Sequence, residues 1–427
     1  MENQNDKFAR NRFLYIVEAA VEYFISLLIT GAFLASLLTR SGVSDRDTGI
    51  ITQLASLAFT AQLFSVFVRK TKGMKLWITI MHLCNQLLFV SLYLIPTFEV
   101  PSGVKTALFV VMFLGGHIIA NIVSPYKLSW LMSFVPNNSR GSFSANKEIV
   151  SLIGGMIFSM SMSTLIDNLS AAGMEDLAFT LSGVTILVLA LIHFLTLVFI
   201  RDREPDPNAA TVHVSLRDVG RTLTNVTLLK IIAVDVIWHL ATGIAVSFYG
   251  VYQTGDLGFS LQYASFVSIL SSLSRVAFSR FFGKFADKYS WTKMLTICFA
   301  IAALSFGVNI FTVPANGHVM YAIYSCIHAI SMAGINSGLM NIIFDFVPLS
   351  ERPAALGIKY SFGGFAAFLA ALLGGKLLDV IQKDGNMLLG INLYAQQALS
   401  AIAFVLCVLL VLYMRTVIVR LKTNSNT

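Results

Sequence analysis

The chain has 427 residues, of which 56% are hydrophobic and only 12% charged, with a mean hydropathy of +0.75. A water-soluble domain carries about 25% charged residues, so this chain cannot cover a water-facing surface and reads as an integral membrane protein. Its net charge of +8 fits basic residues facing anionic lipid headgroups; no nucleic-acid partner is needed to explain it.

The charged head "MENQNDKFARNRF" leads into an apolar stretch too long for a signal-peptide core and without a small-residue cleavage site, so a retained first span is expected. Apolar runs of bilayer-crossing length, about 17–25 residues, then recur to the end. They predict twelve helices, near 13–39, 48–68, 76–96, 105–135, 147–167, 177–200, 226–253, 261–282, 293–313, 318–346, 354–381 and 390–414. Spans four, seven, ten and eleven are long and are expected to tilt or protrude. Cys84, Cys298, Cys326 and Cys407 fall inside apolar runs without paired spacing. They read as small core residues, with neither disulfides nor a metal centre expected.

Charge orients the spans. Of the 30 Lys and Arg residues, 22 lie in the N-terminus, the C-terminal tail and the alternate connections at 69–75, 136–147, 201–230, 280–293 and 348–353. Four (Arg40, Arg46, Lys105, Lys383) lie on the opposite side and four within helices. The positive-inside rule then places both termini in the cytoplasm, in a cell membrane.

One short break is written twice. "FVPNNSR" at 134–140 returns as "FVPLSER" at 346–352, an offset of 212. Phe134, Val135, Pro136 and Arg140 align with Phe346, Val347, Pro348 and Arg352, and Lys147 with Lys359. "GVSDRDTGII" from Gly42 aligns with "GFSLQYASFV" from Gly258 at an offset of 216, with Ser44 opposite Ser260. Two matches at nearly one offset indicate two six-helix halves in the same orientation: a bundle over 1–200, a cytoplasmic linker over 201–225, and a bundle with a short tail over 226–427. The linker's Pro and charge content suits a flexible connector, with an amphipathic stretch after Ser215.

Parallel six-helix repeats are the architecture of major facilitator transporters, and the loops carry the same resemblance. "GKFADKYSWTK", 283–293, resembles that superfamily's loop signature Gly-x-x-x-Asp-(Arg/Lys)-x-Gly-(Arg/Lys)-(Arg/Lys) through Gly283, Asp287 and Lys288, with Ser290 where the second Gly is usual. The first-half loop "FVRKTKGMK" has Phe67 and Thr71 in place of the Gly and Asp. "VPNNSRGSFSANKE" is similar to the superfamily's loop after the fourth helix. The resemblance implies an all-α polytopic fold of twelve helices in two pseudo-twofold related bundles, and movement of a small solute by alternating access. It also implies a latch in which Asp287, with Gly283, Lys288, Arg140 and Arg352, biases the conformational equilibrium without touching solute. Asp287 would accept from the start of the fifth helix near Ser142–Lys147. The plainer reading is a solvated loop charge.

Ionisable groups inside spans are costly and mark cavities or partners. Span one carries Glu18 and Glu22 on one face above Tyr15. Span four carries His117, Asn121 and Ser124 in a stripe, with Lys127 off it. Span seven carries Asp235, Trp238 and His239, and span ten Tyr321, Tyr324, His328 and Asn336. These four helices line the cavity in the resembled superfamily, so Glu18, Glu22, His117, Asn121, Asp235, Trp238, His239, Tyr324 and His328 are the candidate solute- or proton-coupling residues. Glu22 with Asp235–His239 is the preferred coupling set. Structural alternatives stand beside each. Asp235 and His239 would bond within one turn, Glu18 would pair with a basic loop residue at the interface, and Lys127 and Lys359 would snorkel. Asp345 would serve inter-helix contacts. His82, Asn85 and Gln86 would pack, and spans six, nine and twelve would support.

The expected function is secondary active transport coupled to H+, with Na+ as the alternative ion. Substrate options are a sugar or glycoside taken up by symport, or a drug or metabolite exported; the fifth span lacks the Gly-Pro pattern of proton-coupled drug antiporters. No Gly-x-x-x-x-Gly-Lys-(Ser/Thr) loop is present and no nucleophile–base constellation, so neither ATP-driven transport nor an enzyme is expected. A receptor on a transporter scaffold is the competing class; it would need an appended domain or an extended tail. The expected partners are a small-molecule solute, the coupling ion and the lipid bilayer, around a monomer without cofactors.

Overall fold

The computed structural model describes residues 8–67, 74–135, 140–201, 224–347, 352–388 and 390–421. The chain is all-α apart from one short hairpin, β1 (Met387–Leu388) paired antiparallel with β2 (Ile391–Asn392). The first expected span is two helices, α1 (Ala9–Leu28) and α2 (Gly31–Arg40), bent by 44° at the break between them. α3 (Asp45–Leu57) continues as a 3-10 helix over Ala58–Phe67. Then follow α4 (Met74–Leu92), α5 (Ser102–Met132), α6 (Arg140–Ala171) and α7 (Glu175–Phe199). The second half holds α8 (Val226–Ala245) with α9 (Tyr249–Thr254), α10 (Leu261–Lys288), α11 (Trp291–Asn309), α12 (Gly317–Phe346), α13 (Arg352–Lys383) and α14 (Ala395–Tyr413).

Every expected span thus finds a helix. Among the described residues nine are long and apolar enough to cross a membrane, or ten when α1 and α2 count as one span. The second and eighth expected spans fall short of that measure: α3 has only 13 residues, and α10 is rich in serine and carries Arg275, Arg280 and Lys284.

The two repeated stretches have repeated physical jobs. Gly42 and Gly258 both adopt positive φ, +77° and +62°, a region that costs other residues dearly. Two residues on, Ser44 and Ser260 cap α3 and α10 by accepting from the N–H groups of Asp47 and Tyr263, each at 3.1 Å. Phe134–Val135 just past α5 and Phe346–Val347 at the end of α12 are buried, and Arg140 and Arg352 each open the next helix. Pro136 and Pro348 lie outside the described residues, as does most of the linker, 202–223.

Contacts group the chain into two compact units, residues 1–43 with 64–213, and 44–63 with 214–427. In the first, α1 packs on α6 and α7, and α4 on α5 and α7. In the second, α8 packs on α13 and α14, α11 on α12 and α14, and α10 on α12. α3 belongs to the second unit by contact, although it precedes the linker, because it lies against α13. The α8–α13 packing is close enough that a Cβ at Gly243 would stand 2.4 Å from the carbonyl oxygen of Ala367.

Candidate functional site

Two carboxylates of the first unit converge on one lysine. Glu18 and Glu22 sit one turn apart on α1 and so share a face. Lys127 of α5 reaches that face and its Nζ donates to Glu18 Oε1 at 2.7 Å and to Glu22 Oε2 at 2.5 Å. From α7, His193 Nε2 lies 3.0 Å from the same Glu18 oxygen. Beside an ionised carboxylate that nitrogen carries the proton and donates it. Glu18 is 1% exposed and the Glu22 side chain 43%, so the cluster runs from a dry end to a wet one. His82 of α4 completes it, with Nδ1 3.9 Å from Glu22 Oε1 and its ring 5.5 Å from that of His193.

Helix ends hold these faces in register. Asn11 at the start of α1 donates to the carbonyl of Arg201 and accepts from its N–H, beyond the end of α7. Lys75 donates to the carbonyls of Val198 and Ile200, a C-terminal cap that also suits the helix dipole. Tyr93, just past α4, donates to the carbonyl of Leu28 at the end of α1. At the other end, Arg40 closes α2 against Asp176 at 2.8 Å and against Glu175 at the start of α7.

The second unit buries a separate group. Asp235 of α8 is 1% exposed, with Lys359 Nζ of α13 at 3.2 Å from Oδ1 and His239 Nδ1 at 3.3 Å from Oδ2. His239 Nδ1 lies still nearer, 2.8 Å, to the backbone carbonyl of Asp235. The carboxylate oxygens therefore make ion-pair contacts rather than well-aligned hydrogen bonds. Gly363 lets α13 come this near, since a Cβ there would stand 2.3 Å from Asp235 Oδ2.

The other expected residues fall elsewhere. His117 packs edge-on against Phe113, ring centroids 4.4 Å apart, and near Phe89, with Nε2 buried and unpartnered among the described residues. Asn121 donates to the carbonyl of His117 on its own helix. Trp238 turns away from Asp235, stacking on His328 at 6.2 Å and packing against Phe299. Tyr324 and His328 join Phe306, Tyr249 and Tyr321 in a buried aromatic core where Ser305 bonds His328. Asp287 and Lys288 are exposed in the last turn of α10, and nothing crowds Gly283. Ser290, the departure from the loop signature, caps α11 by accepting from the N–H of Lys293. The side chains of Arg140, Arg352 and Asp345 lie outside the described residues.

Sequence reasoning missed Lys127 and Lys359 as the central cations. Neither snorkels: they are 6% and 5% exposed and held by carboxylates. It also passed over His193, the lone histidine in the very apolar α7. Arg275, midway along α10, is half-buried, and its guanidinium has no hydrogen-bond or ion-pair partner among the described residues. Beyond the spans, Asp256 follows α9. Its carboxyl is pushed up to about 6 by its own burial and then by the charge of Asp45. Asp45 accepts from Gln382 at 2.8 Å, and neighbouring Arg46 pairs with Asp379 at 3.1 Å.

Apolar helices of membrane-crossing length, repeated in two halves with carboxylate–lysine–histidine groups inside them, define a polytopic helical membrane protein. The profile of the Major Facilitator Superfamily matches residues 13–327 and 239–426. The chain belongs to that superfamily. Human monocarboxylate transporter 6 is 28% identical over 196 residues, 42% of this chain and 37% of its own length. The mouse monocarboxylate transporter 6 is 28% identical over 114 residues, 23% and 24% of the two chains. The chain thus spans well under half the length of these relatives. Among solved structures, the nucleoside transporter NupG superposes with a TM-score of 0.72 at 13% identity, covering 96% of this chain and 100% of that one. A D-xylose-proton symporter gives 0.67 at 11% identity, covering 95% and 97%. At these identities the likeness is one of fold.

Proposed function

We propose that the protein moves a small organic solute across a cell membrane by alternating access, drawing on proton movement, with both termini cytoplasmic and its lobes at 1–200 and 226–427. One observation carries this reading. Each unit buries a carboxylate against a lysine and a histidine inside its helices: Glu18 with Lys127 and His193, Asp235 with Lys359 and His239. Groups so costly within a bilayer are kept for function. Asp235 with His239 is the proton-carrying pair, because the His239 side chain is 25% exposed and imidazole exchanges protons near neutral pH. The Glu18–Lys127–Glu22 group is the second charge set, whose ion pairs rearrange with the transport cycle. One proton falling through 100 mV releases about 2.3 kcal/mol, and a unit of pH gradient adds about 1.4 kcal/mol. Together these sustain accumulation of several hundred-fold.

The solute class favoured is a small organic anion. The guanidinium of Arg275 in mid-helix, unpaired among the described residues, offers a planar fork for a carboxylate, and the curated relatives are named for monocarboxylates. Asp287, with Gly283, Lys288, Arg140 and Arg352, is proposed as the latch between conformations.

A thermal-shift screen of organic acids, sugars, amino acids and cationic drugs identifies the solute, and uptake into proteoliposomes tests the mechanism. Wild type should accumulate solute when an inward proton gradient is imposed. Asp235→Asn should still exchange labelled for unlabelled solute but ignore the gradient. Uptake by wild type that follows a Na+ gradient and no proton gradient would overturn proton drive, and binding without exchange would point to a receptor.

A further inference from the structure

We infer that Glu22, His82 and His193 form a binding site for a divalent transition metal of the zinc class, tying α1, α4 and α7 together. One ligand atom from each residue lies within 4.8 Å of the other two, and His82 Nδ1 and Glu22 Oε1 are 3.9 Å apart. Zinc bonds to imidazole nitrogen and carboxylate oxygen run about 2.0–2.2 Å, so ligand atoms around a tetrahedral ion stand roughly 3.4 Å from one another. The gap left to close falls to Glu22, the half-exposed and most adjustable of the three.

The histidines supply the independent sign of a ligand. His82 is 1% exposed, yet neither of its ring nitrogens has a hydrogen-bond partner among the described residues. A buried imidazole with both nitrogens idle is costly unless something binds it. His193 donates Nε2–H to Glu18, which leaves Nδ1 as its lone-pair nitrogen, also buried and unpartnered. A carboxylate accepting from the far nitrogen of a metal-bound histidine is the usual outer support of such a ligand. Lys127 in turn fixes Glu18 at 2.7 Å.

Charge and donor type select the ion. Two carboxylates and one ammonium leave the cluster at a formal −1 with neutral imidazoles, so it attracts a cation. Two nitrogens and one oxygen favour zinc-class ions over Na+, Mg2+ or Ca2+, which prefer oxygen. The exposed flank of Glu22 leaves the fourth position to water.

The test uses the full-length, tag-free protein in detergent, stripped with a chelator and titrated with Co2+ as a spectroscopic stand-in. Saturable binding of one Co2+ is expected, with tetrahedral visible bands that Zn2+ abolishes and Mg2+ does not. His82→Gln and Glu22→Gln should each weaken binding about tenfold or more, while His318→Gln, an exposed histidine of the other unit, should leave it unchanged. Zn2+ should also raise the unfolding midpoint of wild type and not of His82→Gln. Should His193→Gln fail to fold for want of its bond to Glu18, His82→Gln still decides the matter. Absence of saturable Co2+ binding, or binding unchanged in both His82→Gln and Glu22→Gln, overturns the site. Neither result depends on which solute is carried.

Discussion

Lys127→Met isolates the energetics of the first charged cluster. Glu18 is 1% exposed and, among the described residues, would keep only the bond from His193 Nε2 once the ammonium is gone. Removing one partner of a buried pair leaves an uncompensated charge and costs about 3–5 kcal/mol. Glu22 adds little to that figure. Its side chain is 43% exposed and recovers water, and pairs so exposed are worth about 0–1 kcal/mol. The loss should therefore come almost entirely from Glu18. Glu18→Gln in the Lys127→Met background removes the stranded charge and should restore about 2–3 kcal/mol, a coupling typical of groups in direct contact. Reversible unfolding in mixed micelles, run on wild type, both single variants and the double variant, measures this cycle. If Lys127→Met unfolds within about 0.5 kcal/mol of wild type, or the double variant equals the sum of the singles, Lys127 is not the counter-charge of Glu18.

Gly243→Ala places a methyl 2.4 Å from the carbonyl oxygen and 2.7 Å from the Cα of Ala367, both backbone atoms. α8 and α13 must then part, at a cost of about 1–3 kcal/mol, and an unchanged unfolding midpoint would refute that packing. Asp256, pushed up to about 6, holds a proton that the unfolded chain, with the ordinary value of 3.8, releases. Stability should fall as pH rises from about 4 to about 6 and level off above; Asp256→Asn should abolish that slope, and a slope that persists would assign it to another group. Lys359→Met strands Asp235 and should cost several kcal/mol, whereas Lys147→Met loses only a 3.5 Å contact to the Tyr15 hydroxyl and a cation–π contact and should cost about 1 kcal/mol. Equal losses from the two variants would show that the buried Lys359 contact is not the stronger.

Much of this architecture is legible in the residues because its determinants are local. A run of apolar residues is a span wherever it packs, and a glycine–x–serine turn caps the next helix whatever lies beside it. The charged clusters are harder. Periodicity tells that Glu18 and Glu22 share a face, but not which neighbouring helix that face meets. Lys127 stands off the polar stripe of its own helix, so sequence spacing set it aside. His193 is a single polar residue in the most apolar stretch of the first half, where a lone histidine reads as packing; its signal was the cost of burying it in that setting. Trp238, Tyr324 and His328 show the limit from the other side. Polar-tipped aromatics on the expected cavity helices suit a binding site, yet their rings satisfy one another in the core of the second unit.

The duplication itself separates what a fold must keep from what it can exchange. Gly42–Ser44 and Gly258–Ser260 retain one backbone geometry because positive φ and a cap are fixed within three residues, with no outside partner to renegotiate. Lys147 and Lys359 also occupy equivalent positions, but their partners differ. Lys359 neutralises Asp235, whereas Lys147 reaches Tyr15 and the acid of the first unit is neutralised from another helix by Lys127. A buried carboxylate requires a cation within reach and is indifferent to which helix sends it, so the wiring drifts while the scaffold holds. The two buried clusters are consequently inequivalent. The Asp235 group pairs one acid with one lysine and a histidine that reaches water, and the Glu18 group carries an excess acid, a histidine bonded to Glu18 and a second imidazole with no hydrogen-bond partner among the described residues.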